Sequence, residues 1–130
     1  AKASDRNVGM IPPMHRERLA GYDIAVAPGY KRTRSHKQVL ELRFDGVAGC
    51  LRTPKGGSSR QCLVLKRGGK LVTRLLTVRE TARLMGAPDT FKLPGTYNDG
   101  YKAMGDAVAV PVARYLGKHL LSPLLSTFNE

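Results

Sequence analysis

The chain has 130 residues, enough for one ordinary domain or part of a larger one, and sets 22 Lys and Arg against 10 Asp and Glu, a formal net charge of +12. That excess points to a polyanionic partner, most often nucleic acid. No apolar run approaches the roughly 20 residues of a membrane span, no basic amphipathic helix carries aromatic anchors for a membrane surface, and no signal-peptide pattern opens the chain. The expectation is a soluble, cytoplasmic protein without a membrane partner.

Up to about residue 74, Gly, Pro, Arg and Lys interrupt short apolar runs. Pro13 is placed to open a short helix over residues 14–20, with Gly21 as its stop. "YKRTRSHK", residues 30–37, is a basic cluster that reads either as a solvated charged face or as a nucleic-acid contact, with Arg32 and Arg34 on phosphates. "QVLELRF", residues 38–44, alternates enough for a strand with Val39 and Leu42, or their neighbours, turned inward.

"CLRTPKGGSSRQ", residues 50–61, carries the strongest binding signal. Gly56 and Gly57 let the backbone turn sharply and approach another surface, while Arg52, Lys55 and Arg60 surround them with charge. Thr53, Ser58, Ser59 and Gln61 add short groups of the kind that contact phosphates and base edges. A plain flexible surface loop would share this composition, so both readings stay open. Next, "CLVLKRGGKLV", residues 62–72, predicts a β-hairpin turning on Gly68 and Gly69. Cys50 and Cys62 form no C-x-x-C pair and are expected to be reduced, small and buried. His15, His36 and His119 are too widely spaced to suggest a metal site.

From residue 75 onward apolar residues recur at helical spacing. Thr77 and Glu80 stand in the S/T-x-x-E relation of a capping box, so a helix starts at Thr77. Val78, Ala82 and Met85, flanked by Thr81 and Leu84, form its apolar stripe, Arg79 and Arg83 lie on another face, and Gly86 and Pro88 stop it. A final helix carries Ala109, Val112, Ala113, Leu116 and Leu120 and is expected to end before Pro123, with Pro111 in its first turn. Asp106 fits the N-cap of that helix.

"RLLTVRETARLMGAPDTF" followed by "YNDGYKAMGDAVAVPVARYLGKHL" resembles the last two shared motifs of the DNA (cytosine-5) methyltransferases, over residues 74–91 and 101–113. The resemblance implies an α+β protein: residues 1–74 as a small β-rich, loop-rich target recognition region, then residues 75–130 as C-terminal helices that would complete a missing Rossmann-like methyltransferase domain. It implies double-stranded DNA as partner, S-adenosylmethionine as cofactor, Arg79, Glu80 and Arg83 as structural supports, and Gly105, Asp106 and Ala107 near the cofactor's methionine end. The family commonly has Asn where Asp106 stands, and that swap favours the cofactor's ammonium over its carboxylate.

In that family a Pro-Cys cysteine attacks a flipped cytosine, a glutamate in an E-N-V triplet holds the ring, and an F-x-G-x-G loop opens the cofactor fold. Here Cys50 follows Gly49, Cys62 follows Gln61, and neither the triplet nor the loop occurs, so no catalytic residue is assigned. The implied role is the recognition and C-terminal portion of a bacterial or phage methyltransferase, in a restriction-modification or DNA methylation system, inactive without a catalytic N-terminal half and able to self-associate when alone. A non-catalytic DNA-binding module derived from such an enzyme is the alternative. A basic RNA binder rests on composition only.

Overall fold

A computed structural model describes residues 2–53, 60–93 and 95–128. The chain is α+β and forms two compact units, Ala1–Leu76 and Thr77–Glu130.

The first unit opens with α1 (Lys2–Gly9) and α2 (Pro13–Ala20) and continues into β1 (Ile24–Arg34), β2 (Lys37–Leu42), β3 (Cys62–Arg67) and β4 (Lys70–Leu75). These strands make one antiparallel sheet in the order β2-β1-β3-β4. Pro13 lies in the first turn of α2, where its missing N–H costs nothing, and Gly21 is the C-cap, as expected. The hairpin between β3 and β4 turns on Gly68 and Gly69, at φ 54° and 75°. One face of the sheet is the core: Ala27, Leu40, Leu42, Cys62 and Val64 pack with Ile11 and Leu19. In β2, Leu40 and Leu42 are buried and Val39 is only half-buried. Val39 and Leu42 cannot share a face, because side chains alternate along a strand.

Both sheet edges are covered, which removes the hazard of unpaired backbone groups. Along β2 the Leu40 N–H donates to the Met10 carbonyl at 2.8 Å and the Leu42 N–H to His15 Nδ1 at 3.1 Å. Along β4 the Thr73 N–H donates to Ser4 Oγ at 2.8 Å, and Asn7 Nδ2 donates to Thr73 Oγ1 at 3.0 Å. Lys66 Nζ caps the carbonyls of Leu19 and Ala20 at the end of α2, at 2.9 and 3.0 Å. Cys62 is buried in this core and its thiol is pushed up to about 11 by that burial. Cys50, expected to be buried, is exposed, because it lies in the loop that follows the sheet's first hairpin rather than on a strand.

The second unit contains α3 (Val78–Leu84), α4 (Tyr97–Asp106), α5 (Val110–Leu116), a π-turn (Gly117–Leu121) and α6 (Ser122–Thr127). The capping box is present: Glu80 N–H donates to Thr77 Oγ1 at 3.2 Å, and Thr77 N–H donates to Glu80 Oε2 at 2.8 Å. Thr81 and Ala82 are its buried residues, while Leu84, placed in the apolar stripe, is exposed. Helical structure does not stop before Pro123. The π-turn widens the register just ahead of it, Ser122 Oγ donates to the Gly117 carbonyl at 2.9 Å, and Pro123 falls in the first turn of α6, where it is tolerated. Asp106 is the last residue of α4, and the N-cap of α5 is Ala109. Among the described residues no helix is long and apolar enough to cross a membrane.

Candidate nucleic-acid interface

The basic cluster at residues 30–37 is the end of a strand and a tight turn. Tyr30, Arg32 and Arg34 lie at i, i+2 and i+4 on β1, so they project from one face, opposite the core. Their cross-strand neighbours on β2 are Glu41, Val39 and Lys37. The turn itself, Ser35 and His36, takes positive φ of 45° and 64°. The guanidinium of Arg32 lies over the Tyr30 ring at 4.4 Å. Glu41 receives Arg34 Nε at 2.7 Å and lies 3.4 Å from Arg32 Nε. Hydrogen bonding from Arg34 is the main reason its carboxyl is held below the usual carboxylate range.

A cavity of about 460 Å³ opens on this face, lined by Tyr30, Arg32, Arg43, Gly49, Cys50, Arg52 and Gln61. It brings Arg32, expected to hold phosphate, together with Arg52 and Gln61 of the glycine-rich loop. Tyr30 and Arg43 join them without having been singled out. The signal for Tyr30 was its two-residue spacing from Arg32, which only a strand makes meaningful. Arg43 gave no local signal. Its backbone N–H donates to the Pro28 carbonyl at 2.9 Å, and its side chain pairs with Asp45. That bond is the first reason the Asp45 carboxyl is lowered to about 2, so the pair stays charged at neutral pH.

The loop leaves and returns through a clasp. Gln61 is buried, and its Nε2 donates to the Cys50 carbonyl at 3.1 Å. Gly49 makes room for this amide, since a Cβ there would lie 2.6 Å from Gln61 Nε2. Arg52 is exposed, and Thr53 and Arg60 are half-buried at the two ends of the loop. Lys55, Gly56, Gly57, Ser58 and Ser59 lie outside the described residues.

In the helical unit the three expected supports all make internal bonds. Arg79 Nη2 donates to the Phe91 carbonyl at 3.0 Å. Arg83 grips Asp89 through two bonds of 2.8 and 3.0 Å, and Glu80 closes the capping box. The two arginines fold the turn after α3 back onto the helix, and Glu80 secures its start. Gly105 is half-buried on α4, Asp106 is exposed at its end, and Ala107 is its extended C-cap. An exposed carboxylate beside the negative end of a helix suits an ammonium group and repels a carboxylate.

A family model described as C-5 cytosine-specific DNA methylase matches residues 4–122. The putative DNA (cytosine-5)-methyltransferase CMT1 of Arabidopsis thaliana is 35% identical over 114 residues, 85% of this chain and 14% of that protein. The DNA (cytosine-5)-methyltransferase CMT2 of Oryza sativa subsp. japonica is 59% identical over 57 residues, 44% of this chain and 4% of that protein. The type II methyltransferase M.HhaI of Haemophilus parahaemolyticus is 37% identical over 82 residues, 61% of this chain and 24% of that protein. The chain thus spans a quarter or less of each. Plant and bacterial proteins both appear, which gives no support to the bacterial or phage origin expected from the sequence. No solved structure matches the chain.

Proposed function

The chain belongs to the C-5 cytosine-specific DNA methylase family, and from that premise we propose that it is the DNA-recognition and C-terminal portion of an enzyme methylating C5 of a flipped cytosine. One observation carries the assignment of the reading surface: Arg32 of the sheet and Arg52 of the glycine-rich loop share one cavity with Arg43 and Tyr30. Arginines and an aromatic ring on a basic face hold phosphates and base edges. The loop of residues 52–61 reads sequence. Arg32 and Arg34 grip the backbone, and Gln61 holds the loop's two ends together rather than meeting a base.

S-adenosylmethionine, when bound, supplies the methyl group. In this chain Gly105, Asp106 and Ala107 would meet its methionine end, with the Asp106 carboxylate taking the ammonium. Arg79, Glu80 and Arg83 keep α3 and the turn behind it in place. A catalytic N-terminal half, as a separate subunit or as another part of a longer protein, brings the nucleophile and the remaining cofactor fold, and the helices of the second unit complete that fold.

Duplexes enriched from a random pool by binding to the reconstituted enzyme test the reading. Arg60→Ala should weaken the enriched sequence by about 1 to 3 kcal/mol and a scrambled duplex much less, as loss of a base contact does. Equal weakening of both duplexes would leave the loop an electrostatic grip only.

Exposed apolar side chains along α5, the π-turn and α6 support the reading that this unit has a partner. Val112, Leu116, Leu120, Leu121, Leu124 and Leu125 are between 46% and 64% exposed, and clustered exposed apolar side chains of this kind favour association. Alone, the chain should self-associate through it. Sedimentation showing a sharp monomer across a wide concentration range would argue against this.

A further inference from the structure

We propose that Glu41 limits and aims the grip of Arg32 and Arg34 on DNA, so that this face takes phosphates only against the opposition of its own carboxylate. The proposal rests on the reading of that face as a DNA surface, and it names a residue that neither the motifs nor the loop chemistry brought forward.

The geometry sets the carboxylate behind the two cations. The side chains of Arg32 and Arg34 are 48% and 57% exposed, whereas that of Glu41 is 22% exposed. A phosphate arriving from solvent meets the arginines first and feels the like charge of Glu41 a few ångströms beyond them. Both arginines approach Glu41 most closely through Nε, at 3.4 and 2.7 Å. The terminal nitrogens form a second, two-toothed edge on each guanidinium, the edge that suits a phosphate. The Tyr30 ring lies under the Arg32 guanidinium, its centroid 4.4 Å away, and restrains one of these forks. Since the pair with Arg34 keeps Glu41 ionised throughout the neutral range, the opposition is permanent. A chain of net charge +12 has a strong sequence-independent attraction for any duplex. By weakening the backbone grip without touching the loop, Glu41 raises the share of the affinity that depends on sequence.

The test uses the full chain, a random-sequence duplex followed by fluorescence anisotropy at several salt concentrations, and the variants Glu41→Gln, Glu41→Asp, Arg32→Ala and Arg34→Ala. Glu41→Gln should bind roughly three- to tenfold more tightly at low salt, while Glu41→Asp, which keeps the charge, should stay near the parent. Each arginine variant should weaken binding and flatten the slope of log affinity against log salt by about 0.9. Thermal melting reports that each variant is folded. If the arginine variants leave affinity and slope unchanged, the face is not a DNA surface and the proposal falls with it. If they weaken binding but Glu41→Gln matches the parent or binds less tightly, the DNA surface stands and the role of Glu41 is overturned.

Discussion

Incubated alone with DNA and tritiated S-adenosylmethionine, the chain should incorporate no methyl group above a blank. The reaction needs an activated nucleophile, and neither cysteine offers one. Cys62 is buried and its thiol is pushed up to about 11, so almost none of it is thiolate at neutral pH. Cys50 is exposed, but it follows Gly49 in a loop and lacks the Pro-Cys setting of the family. The expected effect is complete, because the attack is a thiolate's and Cys50 and Cys62 are the two cysteines of the sequence. Incorporation above the blank would sink the assignment of this chain to the recognition half, whereas incorporation that appears only on adding a catalytic half would separate a working subunit from a silent DNA-binding module.

Gly86→Ala should be strongly destabilising to the helical unit. Gly86 follows α3 at φ 76°, a left-handed conformation that costs an L side chain roughly 1 to 2 kcal/mol. A Cβ there would also lie 2.5 Å from Pro111 Cδ and 2.9 Å from its Cγ, atoms of a rigid ring at the start of α5. Overpacking of that kind adds about 1 to 3 kcal/mol. The neighbouring backbone cannot easily retreat, since the Val110 N–H donates to the Met85 carbonyl at 2.8 Å. Urea unfolding should show a loss of about 2 to 5 kcal/mol. A loss below about 0.5 kcal/mol, the ordinary range for a surface change, would mean that α5 does not dock on Gly86.

What the sequence revealed and what it hid divides along local against tertiary causes. The Gly68–Gly69 hairpin and the Thr77–Glu80 capping box were legible because each is specified by a few neighbouring residues. β1 was not, because "APGY" reads as a turn. Pro28 is nonetheless tolerable in a central strand: its carbonyl accepts from Arg43 N–H on the side where the β2 ladder ends, so its missing donor is not drawn from the β3 ladder. With β1 hidden, the shared face of Tyr30, Arg32 and Arg34 was hidden too, and so was the carboxylate across from it. α1 was missed because its reason is tertiary, the free edge of β4 that Ser4 and Asn7 cover. The chemistry of the Gln61 amide suits base recognition, and what its sequence context does not disclose is its burial and its bond to Cys50, which give that amide a structural partner. The run beyond Pro123 depended on a π-turn, which no composition announces.

Hydrogen exchange of the chain with and without duplex DNA at low salt tests most directly where DNA lies. Binding should slow exchange in residues 30–42 and in the loop ends at Arg52, Thr53 and Arg60, and leave residues 77–127 unchanged. Protection confined to the helices of the second unit, with none on β1, β2 or the loop ends, would contradict the account.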